Sequence, residues 1–454
     1  MRPSAEHPRD PGLTAARPGA RSRALHAAER ELLAPGIQRI AQLSELTLDS
    51  GSGCTVVDVD GNEYLDFFAG VAVASLGHSH PRFVAALTEQ LQNLVVGSFT
   101  SEVRLRLVKL LASLAPGRLS RTQLYSGGAE AVEAAIRLAK AYTKKHEVVG
   151  FWGGFHGKTG GVIGLIGDEW KKGWGPLPGG TYQVPYADCY RCPFKMTYPD
   201  CGMYCLDFVR QSLKVTTGGA IAAILVEPMQ GTAGNVIPPP EFLPGVRDIA
   251  REHDALLIAD EMITGIGRTG RTFGCEHTGV EPDIMTVGKG LGNGFPVSGL
   301  MSTDEITAAR PFANASASSS SYGGNPLAAA AALATVETVV DERLAENAAR
   351  VGAVLLRELR RLQDRYELIG DVRGVGLLIG MDLVKDRRTK EPLARETCER
   401  IFLGALRRGL LLMGYFSRVR INPPLVLTET QARDGIAILD EVLAEVSADG
   451  SHRR

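Results

Sequence analysis

Hydrophobic and polar positions follow two repeating patterns along the middle of the chain, and each pattern predicts a different kind of element. Between residues 120 and 300, short apolar runs alternate with segments whose apolar residues recur at helical spacing. The apolar runs predict strands at RTQLYS, EVVGFW, AAILVEP, ALLIADE and IMTVGK, and the helical segments include GAEAVEAAIRLAKAYTKK and EFLPGVRDIAREHD. This alternation is typical of an α/β fold in which a mostly parallel central sheet carries helices on both faces.

The segments on either side of this region have a different character. The run GCTVVDVDGNEYLDFF predicts a β-hairpin that turns at Asp60-Gly61, and SHPRFVAALTEQLQNL predicts an amphipathic helix. After the SYGGNP segment, a long helical stretch is followed by short strand-like runs and two further helices, which indicates a smaller α+β domain. We therefore predict four parts: a disordered lead at 1–30, an N-terminal segment at 31–85, a large domain at 86–330 and a small C-terminal domain at 331–454.

Composition narrows the class of protein and its partners. Hydrophobic residues make up 44% and charged residues 22% of the 454 residues, which is ordinary for a soluble globular protein. The formal net charge of −1 creates no field that would attract nucleic acid or an anionic membrane, so we expect neither partner. No apolar run approaches the roughly 18 residues of a membrane helix, and the N-terminus lacks the apolar segment of a secretory signal. We expect a cytoplasmic protein.

The segment LLIADEMITGIGRTG contains a dinucleotide-binding lookalike, because Gly265, Gly267 and Gly270 fit the pattern G-x-G-x-x-G. A dinucleotide site requires the first glycine at the end of the strand and an apolar helix beginning at the third. Here the strand ends near Asp260, and a polar, glycine-rich segment follows Gly270. The pattern therefore does not indicate a nicotinamide cofactor.

Two charged residues follow neighbouring predicted strands. Asp260 ends one strand and either caps a turn or faces a cationic ligand, because a buried carboxylate is costly without a cation. Lys289, in MTVGKGLGNGFP, either binds phosphate or forms a Schiff base. An aspartate and a lysine at adjacent strand ends are the pair that pyridoxal phosphate requires. The carboxylate keeps the pyridine nitrogen protonated, and the lysine holds the aldehyde.

Such a cofactor also needs an anion site and a flat side chain. Small residues that let a phosphate approach the start of a helix stand before AEAVEAAIRLAK, namely Ser126, Gly127, Gly128 and Ala129. The alternative for these residues is a simple turn and helix cap. The segment GGFHGKT offers Phe155 and His156 for stacking on a ring, and the alternative for His156 is an ordinary surface position.

Over residues 35–446 the chain resembles the class III, or ω-type, pyridoxal-phosphate-dependent aminotransferases of fold type I. The resemblance is carried by GNEYLDFFAG, GHSHP, SGGAEAVEAAIRLAK, FHGKT, EPMQG, IADEMITGIGRTG, PDIMTVGKGLGNGFP, SYGGNPLAAAAALA, RGVGLLIG and RINPPL. These motifs are highly specific together, although no single one is. The resemblance implies that GIGRTG is a loop that shapes the cofactor site, and that the large domain binds pyridoxal phosphate.

The resemblance also implies a role for individual residues in binding the cofactor. Lys289 would be the Schiff-base lysine, Asp260 the partner of the pyridinium, and Phe155 the stacking side chain with His156 beside it. The phosphate would be held by Gly127, Gly128 and Ala129, with Ser126 one place earlier than the hydroxyl residue that is usual in the family. Ser321 stands where the family usually has a threonine that reaches the phosphate of the neighbouring subunit. This position implies a homodimer with composite active sites.

The substrate side of the site is implied in the same way. Glu227 in VEPMQG matches a glutamate that lies near a substrate-binding arginine, and Arg420 in RVRINPPL matches that arginine. The alternative for both is membership of a surface ion pair. Trp152 is expected beside an apolar substrate pocket. Ile263 replaces a glutamine or valine at the cofactor, so a hydrogen bond to the ring oxygen is not expected there.

An insertion with four cysteines is unusual for the wider family. Cys189, Cys192, Cys201 and Cys205 form the pattern C-x2-C-x8-C-x3-C. This spacing either serves a structural metal site, with zinc or iron held by thiolates, or leaves four free thiols. The insertion is similar to those of a subgroup that includes broad-specificity aminotransferases, racemases and enzymes that modify aminosugars.

The sequence therefore predicts an aminotransferase that moves an amino group from a donor such as glutamate to a carbonyl acceptor. The resemblance to that subgroup, which includes aminotransferases of aminoglycoside biosynthesis, implies an aminosugar or another secondary metabolite as acceptor and a role in antibiotic biosynthesis. Two alternatives remain open within the same cofactor chemistry: an epimerase or racemase, and a decarboxylating or eliminating enzyme. The alternative outside catalysis is a binding protein built on the same scaffold.

Overall fold

The computed structural model describes residues 17–448 and residue 450, and the strands in this part of the chain form three sheets. The strands are β1 (Leu48–Ser52), β2 (Thr55–Asp58), β3 (Glu63–Asp66), β4 (Arg121–Tyr125), β5 (Glu147–Phe151), β6 (Thr181–Val184), β7 (Ile221–Val226), β8 (Leu256–Asp260), β9 (Ile284–Val287), β10 (Ser298–Ser302), β11 (Ile369–Val375), β12 (Leu378–Asp386), β13 (Glu391–Pro392), β14 (Leu410–Leu411) and β15 (Arg418–Ile421).

Helices cover and connect these sheets. The helices of six residues or more are Ala20–Leu32, Arg39–Ser44, Pro81–Asn93, Glu102–Leu114, Gly128–Thr143, Tyr204–Thr216, Phe242–Glu252, Pro326–Asp341, Leu344–Arg365, Arg395–Arg407 and Glu429–Ala448. Shorter helical segments are Ala69–Ala72, Ile163–Leu165, Glu169–Lys171, Gly274–Thr278, Lys289–Leu291 and Asp304–Thr307. Along Ala69–Ala72 every residue has a positive φ, so this short turn is left-handed.

The central sheet has seven strands in the order β4-β10-β9-β8-β7-β5-β6. Only β10 in this sheet runs antiparallel to its neighbours, so the prediction of a mostly parallel sheet is confirmed. The five strands predicted from apolar runs are present as β4, β5, β7, β8 and β9, whereas β6 and β10 were not predicted. Every residue of β7 and β8 is buried, as expected for central strands covered on both faces.

Helices lie on both faces of this sheet, as predicted. Neighbouring positions along a strand point to opposite faces, and in β7 Leu225 packs in one apolar cluster while Ile224 packs in another. The helix Gly128–Thr143 contributes to the cluster of Leu225, and the helix Phe242–Glu252 to that of Ile224. The sheet is therefore the middle layer of a three-layer α/β arrangement.

The two smaller sheets contain the flanking segments. One has the order β1-β2-β3-β14, and its β2–β3 hairpin turns at Asp60-Gly61 as predicted. The other consists of β11, β12, β13 and β15, with β15 paired to β12. The helical stretch after residue 326 is divided at Arg343, which has a φ of 53° and separates two helices. The domain boundaries drawn from the sequence stay predictions.

The prediction of a disordered lead over 1–30 is wrong for the residues that lie in the helix Ala20–Leu32. The carboxylate of Asp60, in the turn of the β2–β3 hairpin, accepts hydrogen bonds from the backbone N–H groups of Arg21 (3.1 Å) and Ser22 (2.7 Å). This contact satisfies donors at the start of the helix, which otherwise have no partner within it. Residues 1–16 lie outside the described residues.

Over residues 17–448, no helix is long and apolar enough to cross a bilayer.

Candidate active site

A cavity of about 350 Å³ opens at the carboxyl end of the central sheet. Most of the residues predicted to bind a cofactor line it: Ser126, Gly128, Ala129, Phe155, His156, Asp260 and Lys289. These residues lie at or directly after the ends of four strands, β4, β5, β8 and β9. Because the carboxyl ends of parallel strands meet at one edge of a sheet, side chains far apart in sequence converge there.

Asp260 is the last residue of β8, and its carboxylate is buried. Its Oδ2 lies 2.6 Å from Nδ1 of His156, and its Oδ1 accepts hydrogen bonds from the backbone N–H of Met262 (3.1 Å) and from Oγ1 of Thr286 (3.2 Å). Burial opposes ionisation, but the hydrogen bond and charge of His156 and the charge of Lys289 hold the pKa of Asp260 below its ordinary value. Asp260 is therefore an ionised carboxylate at the cavity wall.

His156 forms the other half of this buried pair. Burial alone would lower the pKa of His156, but its hydrogen bond to Asp260 and the charges of Asp260 and Glu227 raise that pKa above the ordinary value. The residue is 3% exposed, so the alternative of an ordinary surface histidine is excluded.

Lys289 follows β9, begins a short 3-10 turn and has a φ of 43°, an uncommon backbone conformation for a residue with a side chain. Its side chain lines the cavity. Burial lowers the pKa of Lys289, and Arg420 lowers it further, although the carboxylates of Asp260 and Glu227 act in the opposite direction. A lysine whose pKa lies below the ordinary value has more free amine at neutral pH, which suits a nucleophile or a base.

The start of the helix Gly128–Thr143 forms the anion-binding end of the cavity. The carboxylate of Glu130 accepts hydrogen bonds from the backbone N–H groups of Ser126 (3.1 Å) and Gly127 (2.7 Å). The next N–H groups, those of Gly128 and Ala129, belong to the first turn of the helix, where no intrahelical acceptor exists. Gly127 does not line the cavity, so the phosphate contacts that fit this geometry are those of Gly128 and Ala129.

Because Gly128 has no side chain, a ligand can approach its backbone closely at this end of the cavity. A Cβ atom added to Gly128 would lie 3.3 Å from the sulfur of Met262, which is tighter than ordinary contact. A helix start with free N–H groups, an ionised aspartate and a lysine of lowered pKa therefore surround one cavity. These residues fit pyridoxal phosphate, which has a phosphate, a pyridine nitrogen and an aldehyde to satisfy.

Glu227 and Arg420 lie near this cavity and influence the charge state of Lys289. Both carboxylate oxygens of Glu227 accept backbone hydrogen bonds, one from Phe155 (3.0 Å) and one from Gly231 (2.9 Å). Burial raises the pKa of Glu227 and lowers the pKa of Arg420. Within residues 17–448 no ion pair joins the two, and Nη1 of Arg420 is buried without a hydrogen-bond partner.

Three other predicted residues lie outside the lining of the cavity. Ile263 is buried against the backbone of Gly231, and its apolar side chain offers no hydrogen bond to a ligand. Trp152 is half-exposed, and its backbone carbonyl accepts a hydrogen bond from Gln230. Ser321 is exposed on the surface.

Thr286 was missed by sequence reasoning, although a signal for it was present. It is the one polar residue of IMTV in β9, and its Cα is paired in register with that of Asp260 in β8. Met262, Phe295, Pro296 and Val297 also line the cavity without having been predicted. These four are apolar and give no pattern that separates them from core residues.

The four cysteines of the insertion line a second, much smaller cavity together with Phe194 and Tyr204. All four are free thiols. Burial raises the pKa of Cys189 to about 12 and that of Cys205 to about 11, so both stay protonated at neutral pH. In the part of the chain that the structure describes, no group of three or more Cys, His, Asp or Glu side chains is arranged to hold a metal ion. The alternative of free thiols is therefore favoured, and the zinc or iron prediction is not supported.

Known proteins are similar to this chain in sequence and in fold. The sequence model of the family described as aminotransferase class-III matches residues 38–443. The chain is similar to a leucine/methionine racemase from Thermococcus litoralis, with 36% identity over 399 residues that cover 86% of this chain and 89% of the racemase. It is similar to an acetylornithine aminotransferase from Methanothermobacter thermautotrophicus, with 35% identity over 405 residues that cover 88% and 94% of the two chains.

A solved structure is similar over most of its length. It is an amine transaminase from an uncultivated Pseudomonas species in its form with bound pyridoxal phosphate. The TM-score is 0.85 and the sequence identity 30%, and the match covers 91% of this chain and 98% of the transaminase.

Proposed function

Because the chain belongs to the class III family of pyridoxal-phosphate-dependent aminotransferases, we propose that it moves an amino group from an α-amino acid such as glutamate to a carbonyl compound. Its fold is the predicted fold type I. The observation that carries the proposal is a cavity lined by Asp260 and Lys289, with Glu227 and Arg420 close enough to influence the charge of Lys289.

The cofactor site is formed by residues of this chain. Pyridoxal phosphate, when bound, supplies an aldehyde that takes up the amino group and a ring that accepts electron density from the substrate carbon. In this proposal Asp260, fixed by His156 and Thr286, keeps the pyridine nitrogen protonated. The backbone N–H groups of Gly128 and Ala129 bind the phosphate.

Lys289 has two roles in this proposal. It holds the cofactor in the resting enzyme, and as a free amine it moves a proton at Nζ during transfer of the amino group. The lowered pKa supports the second role, because a base must be deprotonated at the working pH. Phe155 supplies the flat side chain at the cavity wall.

Arg420 is the proposed binding group for the donor's α-carboxylate. Nη1 of its guanidinium is buried without a hydrogen-bond partner, and a carboxylate would satisfy it through a charge-assisted pair. An aminotransferase must also accept a second substrate of different charge. Glu227 is close enough to influence Arg420, and its reorientation toward the guanidinium would neutralise the arginine when no carboxylate is present.

The titratable groups of the cavity favour transamination over racemisation. Of the titratable side chains that line the cavity among the described residues, His156 and Asp260 bond to each other and Lys289 remains. A racemase that acts with two groups needs an acid and a base on opposite faces of the substrate carbon, whereas transamination needs one group that moves a proton on one face. Racemisation is nevertheless the second candidate, because the chain is 36% identical to a leucine/methionine racemase.

We further propose a homodimer in which Ser321 reaches the phosphate site of the partner subunit. Tyr322, which follows Ser321 in the chain, is 66% exposed, and Phe99 is 84% exposed. Arg104 connects these segments, because it donates hydrogen bonds to the carbonyls of Phe99 (2.8 Å) and Gly324 (3.5 Å). Exposed aromatic residues are typical of surfaces that pack against another protein. Ser321 lies beside them and does not line the cavity of its own chain, which supports the packing of this surface against a second copy.

The identity of the acceptor and the location in the cell stay predictions. An aminosugar or other secondary metabolite as acceptor, and with it a role in antibiotic biosynthesis, is the expectation taken from the resemblance. The cytoplasmic location is likewise an expectation from the sequence.

A screen of amino donors tests the proposed function. Purified enzyme is mixed with one donor at a time and without an acceptor, and absorbance follows conversion of the cofactor from its aldehyde form to its amine form. Stoichiometric conversion with glutamate or another α-amino acid, reversed by a keto acid, supports the proposal. Absence of conversion with every donor would overturn it.

A further inference from the structure

Charged side chains form a network on one face of the sheet that carries Arg420. They come from the four-cysteine insertion and from three strands, β11, β12 and β15: Asp188, Arg191, Asp371, Arg373, Asp382 and Arg418. Three are positive and three are negative, so the network is balanced in charge.

Asp382 is the centre of this network and is 1% exposed. Its carboxylate accepts hydrogen bonds from Nε of Arg191 (2.7 Å) and from Nη1 of Arg373 (2.6 Å), and Nε of Arg418 lies 3.8 Å away. Arg418 in turn bonds to the carboxylate of Asp188 (3.0 Å). A buried carboxylate requires such partners, and the loss of one leaves charge without compensation.

The network lies on the same side of β15 as the side chain of Arg420. Arg418 and Arg420 are two positions apart on this strand, so their side chains point to one face. In the pairing of β15 with β12, Arg418 stands opposite Asp382 and Arg420 stands opposite Gly380. The ion pairs of Arg418 are therefore made two pair positions away from Arg420, on the same face of the strand.

A second segment, which follows Glu227, docks on the same face. Arg373 donates hydrogen bonds to the carbonyls of Gly234 (2.6 Å) and Asn235 (3.1 Å). A Cβ atom at Gly380 would lie 2.3 Å from the carbonyl oxygen of Gly234, so only glycine allows this close approach. The strand of Arg420 is thus held against both the segment after Glu227 and the insertion.

The cysteines of the insertion lie next to two charged residues of the network. Cys189 directly follows Asp188, and Cys192 directly follows Arg191. Their thiols face the small cavity shared with Phe194 and Tyr204. Free cysteines behave as small hydrophobic side chains, and the four thiols lie around this cavity, which Asp188 also lines.

We propose that Arg191 and Asp188 are positioning residues for substrate recognition, which act through Asp382 and Arg418 to set the place of the Arg420 guanidinium. Neither residue lines the active-site cavity. The inference rests on the proposed function, because it takes Arg420 as the group that binds the donor carboxylate. It assigns to the four-cysteine insertion a part in the selection of the substrate.

The test compares Arg191→Ala with Arg191→Lys and with a control, Arg210→Ala. Arg210 lies on the helix that follows the insertion, and its ion pairs with Asp207 and Glu252 do not involve the sheet of Arg420. Single-turnover rates are measured over a range of donor concentrations, once with an α-amino acid and once with an amine that has no carboxylate. If Arg191→Ala is poorly soluble, Asp188→Asn breaks the same network and retains the shape of the side chain.

We expect Arg191→Ala to raise the concentration of α-amino acid that gives half the limiting rate by about threefold to thirtyfold. An effect of this size is typical of residues that act on a site through other residues. The limiting rate and the reaction with the plain amine should stay within about twofold. Arg191→Lys should recover part of the loss, and Arg210→Ala should behave like wild type. Equal losses with both donors, or no difference between Arg191→Ala and Arg210→Ala, would overturn the inference.

The failure of this inference differs from a failure of the proposed function. If wild-type enzyme converts no donor, the proposed function is wrong. If Arg420→Ala affects the α-amino acid selectively while Arg191→Ala and Asp188→Asn do not, only the positioning role is wrong.

Discussion

Nδ1 of His156 lies 2.6 Å from Oδ2 of Asp260, and both side chains are buried beneath the cavity that we assign to the cofactor. The two residues are 104 positions apart in sequence, and they meet because β5 and β8 end at the same edge of the sheet. The contact keeps the carboxylate ionised in a place where burial alone would favour its protonation.

Asp260→Asn should slow transfer of the amino group strongly, since it removes the negative charge that keeps the pyridine nitrogen protonated. Loss of such electrostatic stabilisation costs on the order of 10²–10³ in rate. Stopped-flow absorbance of the reaction with a donor measures the effect. Thr286→Val removes one hydrogen bond to Asp260 but leaves the charge of its carboxylate, so the rate should fall only a few-fold. A rate for Asp260→Asn within a few-fold of wild type would contradict the assignment.

The His156–Asp260 pair should also produce a pH-dependent contribution to stability in the cofactor-free protein. Because the pKa of His156 is raised in the folded protein, it contributes stability that is complete at pH values below its pKa in the unfolded chain. That stability is lost as the pH rises through its pKa in the folded protein. Because the pKa of Asp260 is lowered in the folded protein, it contributes stability that is complete at pH values above its pKa in the unfolded chain. That stability is lost as the pH falls through its pKa in the folded protein. Both contributions are complete between about pH 4 and 6.5.

We therefore expect the difference in Tm between wild type and His156→Asn to be greatest within that window and to decrease on either side of it. Thermal unfolding monitored by circular dichroism at several pH values provides the measurement. His146→Asn, at an exposed position, is the control and should show no such maximum. A difference that does not vary with pH would show that the pair is not ionised as described.

The composite active site can be tested by mixing subunits. Lys289→Ala removes the lysine, and Ser321→Glu places a negative charge where the phosphate of the partner's site would lie, so each variant alone should be inactive. In a mixed dimer one site receives both normal residues. Equal mixing and exchange should then restore activity at about a quarter of the sites, given random pairing in a two-fold dimer.

An absence of recovery after proven subunit exchange would contradict the role of Ser321. Light scattering on the wild-type enzyme supplies the second check, and a fully active monomer would exclude the shared site.

Arg420→Ala should separate the two kinds of substrate. Removal of one partner from a buried charge-assisted contact costs about 2–5 kcal/mol, or roughly 30-fold or more in affinity. We expect that loss for an α-amino acid donor and little change for an amine without a carboxylate. Half-reaction rates with the two donors give the comparison. If the variant slows both to the same degree, Arg420 has a structural role.

The sequence predicted the positions of Asp260 and Lys289 because apolar runs mark the ends of buried strands, and the motifs of the family supplied the roles. It did not predict β10, since SGLMS lacks both a long apolar run and an alternating pattern, and its place depends on pairing with β4 and β9. The helix Ala20–Leu32 was missed for a related reason, because Asp60, distant in sequence, caps its start.

The details of the site depended on backbone geometry that spacing does not encode. Glu227 was expected beside the substrate-binding Arg420, and in the structure its oxygens bond to the backbone of Phe155 and Gly231. Gly127 was expected to bind phosphate, whereas its N–H is taken by Glu130. Both outcomes are set by local turns, so they required the folded structure.

The fate of the α-hydrogen and of the amino group tests the central claim most directly. Glutamate deuterated at its α-carbon is incubated with the enzyme without an acceptor. NMR follows loss of the deuterium, chiral chromatography follows the configuration of the amino acid, and absorbance follows the cofactor. Our account predicts loss of the deuterium together with stoichiometric release of 2-oxoglutarate and conversion of the cofactor to its amine form, both much reduced in Arg420→Ala. Deuterium exchange with inversion of the amino acid and no amine form, for glutamate and for every other α-amino acid donor, would contradict it and establish a racemase instead.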